Sequence, residues 1–210
     1  MTEQLYFSSD QLSINATVLA CVSALDHYEI TLDRTVFHPQ GGGQASDVGH
    51  IGDLRVSKVV QKKGALVHCV NTPLTLGEVT LQVDSSARLL HSRLHTAGHL
   101  IGHVLAPLGY IATRAHHWPG EARVYVSPTP DSANACLSVA DLQKRLDELI
   151  ALDLPRVTKM HEAHREIGFG ELPAYPCGGT HVASTGEVGR CIIEDIGESE
   201  NGLRIRYTVV

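Results

Sequence analysis

Two pairs of side chains in this sequence have the types and spacing that chemistry uses. His95 and His99 stand four residues apart in RLHTAGHL, and Cys177 and His181 stand four apart in PCGGTHV. On a helix, the i and i+4 positions share one face with their Cβ atoms about 6 Å apart, so the first pair offers two imidazoles to one ion. The second pair offers a thiolate and an imidazole on a bent segment, because Pro176 keeps a helix out and Gly178 and Gly179 let the backbone curl. One sulfur and three nitrogens make a four-coordinate set of the kind zinc takes. Paired core histidines, or a turn that happens to contain a cysteine, are the plainer readings of either pair alone. His91 and His103 extend the helix row in steps of four and flank the pair. The residue after His95 is Thr96, not glutamate, so the helix lacks the base of an H-E-x-x-H peptidase.

Composition is compatible with a resident metal. Thirteen histidines in 210 residues is a high count and directs attention to metal sites. The five cysteines, Cys21, Cys69, Cys136, Cys177 and Cys191, are odd in number and irregularly spaced. No basic segment followed by an apolar one opens the chain, so a reducing, cytoplasmic setting with free thiols is expected. No stretch reaches the ~18 apolar residues of a membrane span. Seventeen basic against 23 acidic side chains give a net charge of −6. That excludes a general nucleic-acid coat protein and leaves local patches as the only route to nucleic acid.

The elements that must position these residues fall into two regions. Residues 14 to 83 carry short Val-, Leu- and Thr-rich runs separated by turn residues: INATVLACVSAL, YEITLDRTVFHP, DLRVSKVVQ, ALVHCV and EVTLQV. Such spacing predicts a small barrel or sandwich. From residue 84 the period changes. Leu89, Leu90, Leu94, Ala97, Leu100, Ile101, Val104 and Leu105 recur at helical spacing, with Asp84, Ser85 or Ser86 as the cap and Pro107 and Gly109 as the stop. A second helix is expected over 139–153, and strands at EARVYVSP, ACLSV, GRCIIEDI and GLRIRYTVV. RVTKMHEAHREIGFG fits neither period. The expected class is α+β, with a β-barrel domain over 1–87 and a mixed α+β domain over 88–210.

The run HPQGGGQ, with Gly41, Gly42, Gly43 and Gln44, superficially suggests a phosphate cradle. It lacks the G-K-[ST] of a P-loop and opens no clear helix. A turn between barrel strands that leans over a site suits three glycines better.

Three segments together, FHPQGGGQASDVG (37–49), RLHTAGHL (93–100) and PCGGTHV (176–182), resemble the alanyl-tRNA editing proteins, the free-standing relatives of the editing domain of alanyl-tRNA synthetase. The tail STGEVGRCIIEDIGESENGLRIRY is similar to the same family, and the resemblance runs from about residue 14 to the end. It matches the form with an N-terminal β-barrel before an editing domain of the threonyl/alanyl-tRNA synthetase type. The resemblance implies Zn2+ held by His95, His99, Cys177 and His181. It implies hydrolysis, in trans, of the ester that joins serine, and to a lesser degree glycine, to tRNA for alanine. The aminoacyl-tRNA is then the partner, with no DNA and no membrane.

That task has a physical logic. An apolar pocket for alanine discriminates poorly against one added hydroxyl, whereas a site that hydrogen-bonds the hydroxyl penalises its absence. Thr113 and Gln44 are the candidate partners of a seryl hydroxyl, and the glycines of the GGGQ run line the same proposal. His117, in AHHWPG, is the candidate polar assistant in ester cleavage. Basic residues for tRNA contact, Arg93, Arg114, Arg123 and Arg206 among them, are scattered after residue 88 without an aromatic stacking array. Two rival functions share these residues: a deacylase of seryl-tRNA for threonine, and a non-catalytic, zinc-stabilised tRNA-binding module.

Overall fold

The computed structural model describes residues 2–130, 137–162 and 164–210. The chain divides into two compact units. The first comprises residues 1–41 and 45–89, the second residues 42–44 and 90–210. Among the described residues no helix is long and apolar enough to cross a membrane.

The first unit contains β1 (Glu3–Gln4), β2 (Ser13–Ser23), β3 (Tyr28–Leu32), β4 (Arg34–Thr35), β5 (Gly49–Ile51), β6 (Leu54–Lys62), β7 (Ala65–Val70) and β8 (Gly77–Val83). Six of these close on themselves in the order β2-β3-β7-β6-β5-β8, every neighbouring pair antiparallel. The expected barrel is therefore present. Alternation directs Val18, Ile30, Leu32, Ile51, Val59 and Leu81 inward, all 2% exposed or less. A bulge between Val56 and Lys58 lets both Val56 and Val59 face the interior despite their odd spacing. Among the buried polar groups of this unit, His68 and Asp47 are paired. His68 is fully buried, with Nε2 2.9 Å from Thr35 Oγ1 and Nδ1 3.3 Å from the Ile30 carbonyl. Asp47, also fully buried, takes two hydrogen bonds of 3.0 Å from Arg88 Nε and one from the His38 amide. These pairings satisfy groups that burial would otherwise penalise.

Helix α1 (Ser85–Leu105) contains the division between the units, after Leu89. Asp84 caps it by accepting from the Ala87 amide at 2.9 Å. Beyond it follow β9 (Tyr110–His116), β10 (Arg123–Pro128), α2 (Val139–Ala151), β11 (Arg156–Met160), β12 (Arg165–Phe169), β13 (Tyr175–Pro176), β14 (Cys191–Ser199) and β15 (Gly202–Val209). One antiparallel sheet has the order β14-β15-β10-β9, and a second the order β11-β12-β13. Leu94, Ala97, Leu100 and Ile101 of α1 and Leu142, Leu146 and Ile150 of α2 bury into one core with Val124, Ile193, Ile205 and Tyr207 of the larger sheet. Ser138 caps α2, accepting from the Asp141 amide at 3.0 Å.

Two local expectations change. The strand anticipated at ACLSV begins outside the described residues, and its last residue, Val139, opens α2 because Ser138 is the stronger signal. RVTKMHEAHREIGFG, which fitted no period, is the β11–β12 hairpin. Its first strand shows Thr158, Lys159 and Met160 all to solvent, so no alternation was there to read. Cys21, Cys69, Cys177 and Cys191 are free thiols, and Cys136 lies outside the described residues.

Candidate metal centre

Helix α1 and the segment after β13 bring His95, His99, Cys177 and His181 together, with one donor atom from each lying within 4.8 Å of the others. Cys177 Sγ is 3.4 Å from His95 Nε2 and 3.2 Å from His181 Nε2. The edge of a tetrahedron built on zinc–sulfur and zinc–nitrogen bonds is about 3.5 Å, so the donors already stand near coordination spacing. Nδ1 of His99 is buried without a hydrogen-bond partner among the described residues. Three imidazole nitrogens and one thiolate sulfur form a donor set that zinc fits.

Electrostatics favour the ligand form of the rings. Burial, with His103 and Arg165 nearby, lowers His99 to about 4. Burial likewise holds His181 well below the usual histidine range. Both rings are therefore neutral and present lone pairs. Burial pushes the Cys177 thiol up, while a hydrogen bond from the Gly179 backbone and the Arg165 charge oppose it.

The groups behind the donors fix which nitrogen faces inward. Gln44 Oε1 lies 2.7 Å from His95 Nδ1 and accepts from the Thr180 amide at 2.9 Å, while its Nε2 donates to Thr180 Oγ1 at 2.8 Å. An amide oxygen only accepts, so His95 carries its proton on Nδ1 and keeps Nε2 bare. Thr96 Oγ1 lies 3.0 Å from His181 Nδ1 and holds that ring by a hydrogen bond. Arg165 donates to the Cys177 carbonyl at 3.0 Å and also to the Gly179 carbonyl, pinning the loop that carries the sulfur. Gly179 is itself required, because a Cβ there would overlap the His95 ring.

A cavity of about 530 Å3 opens onto His95, His99 and Cys177. Gly98, Gly102 and Ala112 contribute to its wall, and Gly102 and Ala112 leave it roomy. His117 also lines it, 2% exposed and stacked on His95 with ring centroids 4.3 Å apart. The Tyr207 hydroxyl lies 2.6 Å from His117 Nδ1 and 2.9 Å from the Leu94 carbonyl. The carbonyl accepts the phenolic proton, so His117 must donate from Nδ1, and its Nε2 is left as an acceptor. Burial lowers His117 to about 3, which keeps the ring neutral.

The other anticipated residues are distributed unevenly. Thr113, on β9, is exposed on the cavity wall and donates to the Tyr125 carbonyl at 3.3 Å. Gly42 lines the cavity, and Gly43 lies against β9, where a Cβ would meet the Ala115 carbonyl at 2.6 Å. Gly41 is exposed and belongs to the first unit. Gln44 is fully buried, with both ends of its amide bonded to His95 and Thr180. These bonds add a contact with His95 to the expected contact of Gln44 with a substrate hydroxyl. The GGGQ run opens no helix; the next element is β5. Thr96, Thr180, Arg165 and Tyr207 were not anticipated. They act across separations of 85 or more residues or through backbone carbonyls, which no local pattern encodes.

The family of the threonyl and alanyl tRNA synthetase second additional domain matches residues 165–206, the stretch that contains Cys177 and His181. Alanyl-tRNA editing protein AlaX-L of Pyrococcus horikoshii is 30% identical over 234 residues, covering 99% of this chain and 58% of the relative. The alanine–tRNA ligase of Methanopyrus kandleri is 29% identical over 96% of this chain and 25% of its own length. That of Thermofilum pendens is 32% identical over 90% of this chain and 24% of its own. The chain therefore spans somewhat over half the length of the editing protein and about a quarter of the ligases. It is similar to the alanyl-tRNA editing protein and to the matching region of these ligases.

Proposed function

We propose that this protein is an aminoacyl-tRNA deacylase that acts in trans, in the cytoplasm, to remove serine from tRNA for alanine. Residues 88–210 form its hydrolytic domain, with Zn2+ held by His95, His99, Cys177 and His181. The observation that carries this reading is the cluster of four convergent donors opening onto a cavity of about 530 Å3. The 30% identity to an alanyl-tRNA editing protein across 99% of the chain supports the substrate class.

Zinc, when bound, supplies a Lewis acid beside the ester. The chain's own residues do the rest. Water adds to the ester carbonyl, the acyl–oxygen bond breaks, one of the water's protons goes to the ribose oxygen and the other to solvent, and the amino acid leaves as its carboxylate. His117 Nε2, bare because Tyr207 holds the proton at Nδ1, accepts from a water or from an N–H of the aminoacyl group and so orients it. Thr113 Oγ1 gives its own proton to the Tyr125 carbonyl and has lone pairs left to accept from a seryl hydroxyl. An alanyl group leaves that acceptor unmet, which is the asymmetry an editing site needs. The small residues Gly102 and Ala112 leave space for the acyl end.

The test is deacylation of seryl-tRNA and alanyl-tRNA, both on tRNA for alanine, with and without added zinc. Loss of serine with retention of alanine supports the reading. Equal activity on seryl-tRNA for threonine would broaden the substrate. No hydrolysis by folded, zinc-loaded protein would leave a zinc-stabilised tRNA-binding module.

A further inference from the structure

The turn between β11 and β12 carries a second group of metal-type donors that the proposed function does not use. His161, His164 and Glu166 place one donor atom each within 4.8 Å of one another. The turn is closed by the His161 amide donating to the His164 carbonyl at 2.9 Å. The two imidazoles stack, with centroids 4.6 Å apart and planes 15° apart. The Glu166 carboxylate bridges them, Oε2 standing 3.3 Å from His161 Nε2 and Oε1 3.4 Å from His164 Nε2.

Those separations are informative. Charge-assisted N–H···O contacts run about 2.7–2.9 Å. Donors sharing one ion through bonds of about 2.0–2.1 Å lie about 3.3 Å apart. Each imidazole thus stands from a carboxylate oxygen at the spacing of co-ligands rather than of a tight ion pair, and all three groups offer donor atoms within 4.8 Å of one another. His161 and His164 side chains are 45% and 46% exposed, so an ion reaches them from solvent. The histidines hold Glu166 below the usual carboxylate range, His164 most strongly, so it is an anionic ligand.

We propose that His161, His164 and Glu166 form a second divalent-metal site, at the protein surface. Two imidazoles and one carboxylate select borderline transition ions, Zn2+, Ni2+ or Cu2+, over Mg2+ and Ca2+. Three protein donors leave positions for water or for a group on a partner. The site also has a structural consequence. Arg165 lies between two of these ligands in sequence, and successive strand residues face opposite ways. An ion on one face of β12 therefore braces the strand whose other face clamps the Cys177 and Gly179 carbonyls.

The experiment is calorimetric titration of tag-free, zinc-loaded protein with Ni2+, repeated on His161→Ala and on Glu166→Gln and again with Mg2+. The expected result is one further Ni2+ equivalent at micromolar concentration, no binding of Mg2+, and affinity at least tenfold weaker in both variants with melting temperature and retained zinc unchanged. Zinc retained at one equivalent throughout the titration shows that the buried cluster stays occupied, so the added Ni2+ belongs to this site. Identical Ni2+ binding in wild type and variants, or binding only at millimolar concentration, overturns the proposal.

Discussion

The Tyr207 hydroxyl is shared between His117 Nδ1, at 2.6 Å, and the Leu94 carbonyl, at 2.9 Å. One phenolic oxygen thus ties a cavity histidine to the helix that carries His95 and His99. Tyr207→Phe removes the group that fixes the His117 proton. The expected outcome is a mixed His117 tautomer in nitrogen-15 spectra, about a tenfold loss of deacylation, and about 1–3 kcal/mol of stability for the buried groups left unpaired. A single, unchanged tautomer in the variant would contradict the assignment.

Gln44 is bonded to His95 through its amide oxygen. Gln44→Ala should weaken zinc binding by roughly 10–100-fold, as loss of a ligand's hydrogen-bond partner typically does, while the serine-to-alanine discrimination ratio stays as in wild type. Competition with a chromogenic chelator measures the first, and paired deacylation assays the second. A collapse of discrimination with intact affinity would return Gln44 to the substrate.

Gly179→Ala is expected to be severe. The new methyl would occupy the position of the His95 ring and lie 2.7 Å from Gln44 Oε1. Zinc content should fall below half of wild type, together with the deacylation rate. Full occupancy in this variant would mean that the loop can shift without cost.

Removal of the ion should act on both stability and turnover. Cys177→Ala, or chelation of the wild type, is expected to lower the melting temperature and abolish deacylation. Added Zn2+ should restore both in the chelated wild type but not in the variant. Zinc-replete, fully active Cys177→Ala protein would remove Cys177 from the ligand set.

His68 makes the barrel acid-sensitive. Burial lowers its folded pKa to about 4, against an ordinary value of 6.5. Between these values the unfolded chain binds the extra proton, so stability is full above about pH 6.5 and declines as pH falls toward 4. The slope is on the order of 1 kcal/mol per pH unit. His68→Gln should flatten it in urea melts that follow the barrel. An unchanged slope would place the acid sensitivity elsewhere.

Much of the candidate centre was legible because its signals are local. Two i, i+4 pairs name the four donors, and helical periodicity places the first pair on α1. The barrel was legible from β-branched runs and turns. The supporting groups were not, because their meaning lies in distant partners. Thr96 could be read only as the absence of a peptidase base, yet its hydroxyl sits 3.0 Å from His181 Nδ1. Gln44 was visible as a polar residue after three glycines, but nothing near it in sequence points to a histidine 51 positions away. The β11–β12 hairpin was illegible because its first strand has no buried alternation.

All four donors follow residue 90, so a shortened chain, Leu90–Val210, would inherit every ligand. It would not inherit Gln44, which is stranded on the wrong side of the cut although it folds with the later residues. His95 would then be free to flip its proton between nitrogens, and part of the population would turn an N–H toward the ion. Excision along the apparent seam would preserve the ligand inventory and spoil its chemistry, so these two pieces of sequence are not interchangeable modules.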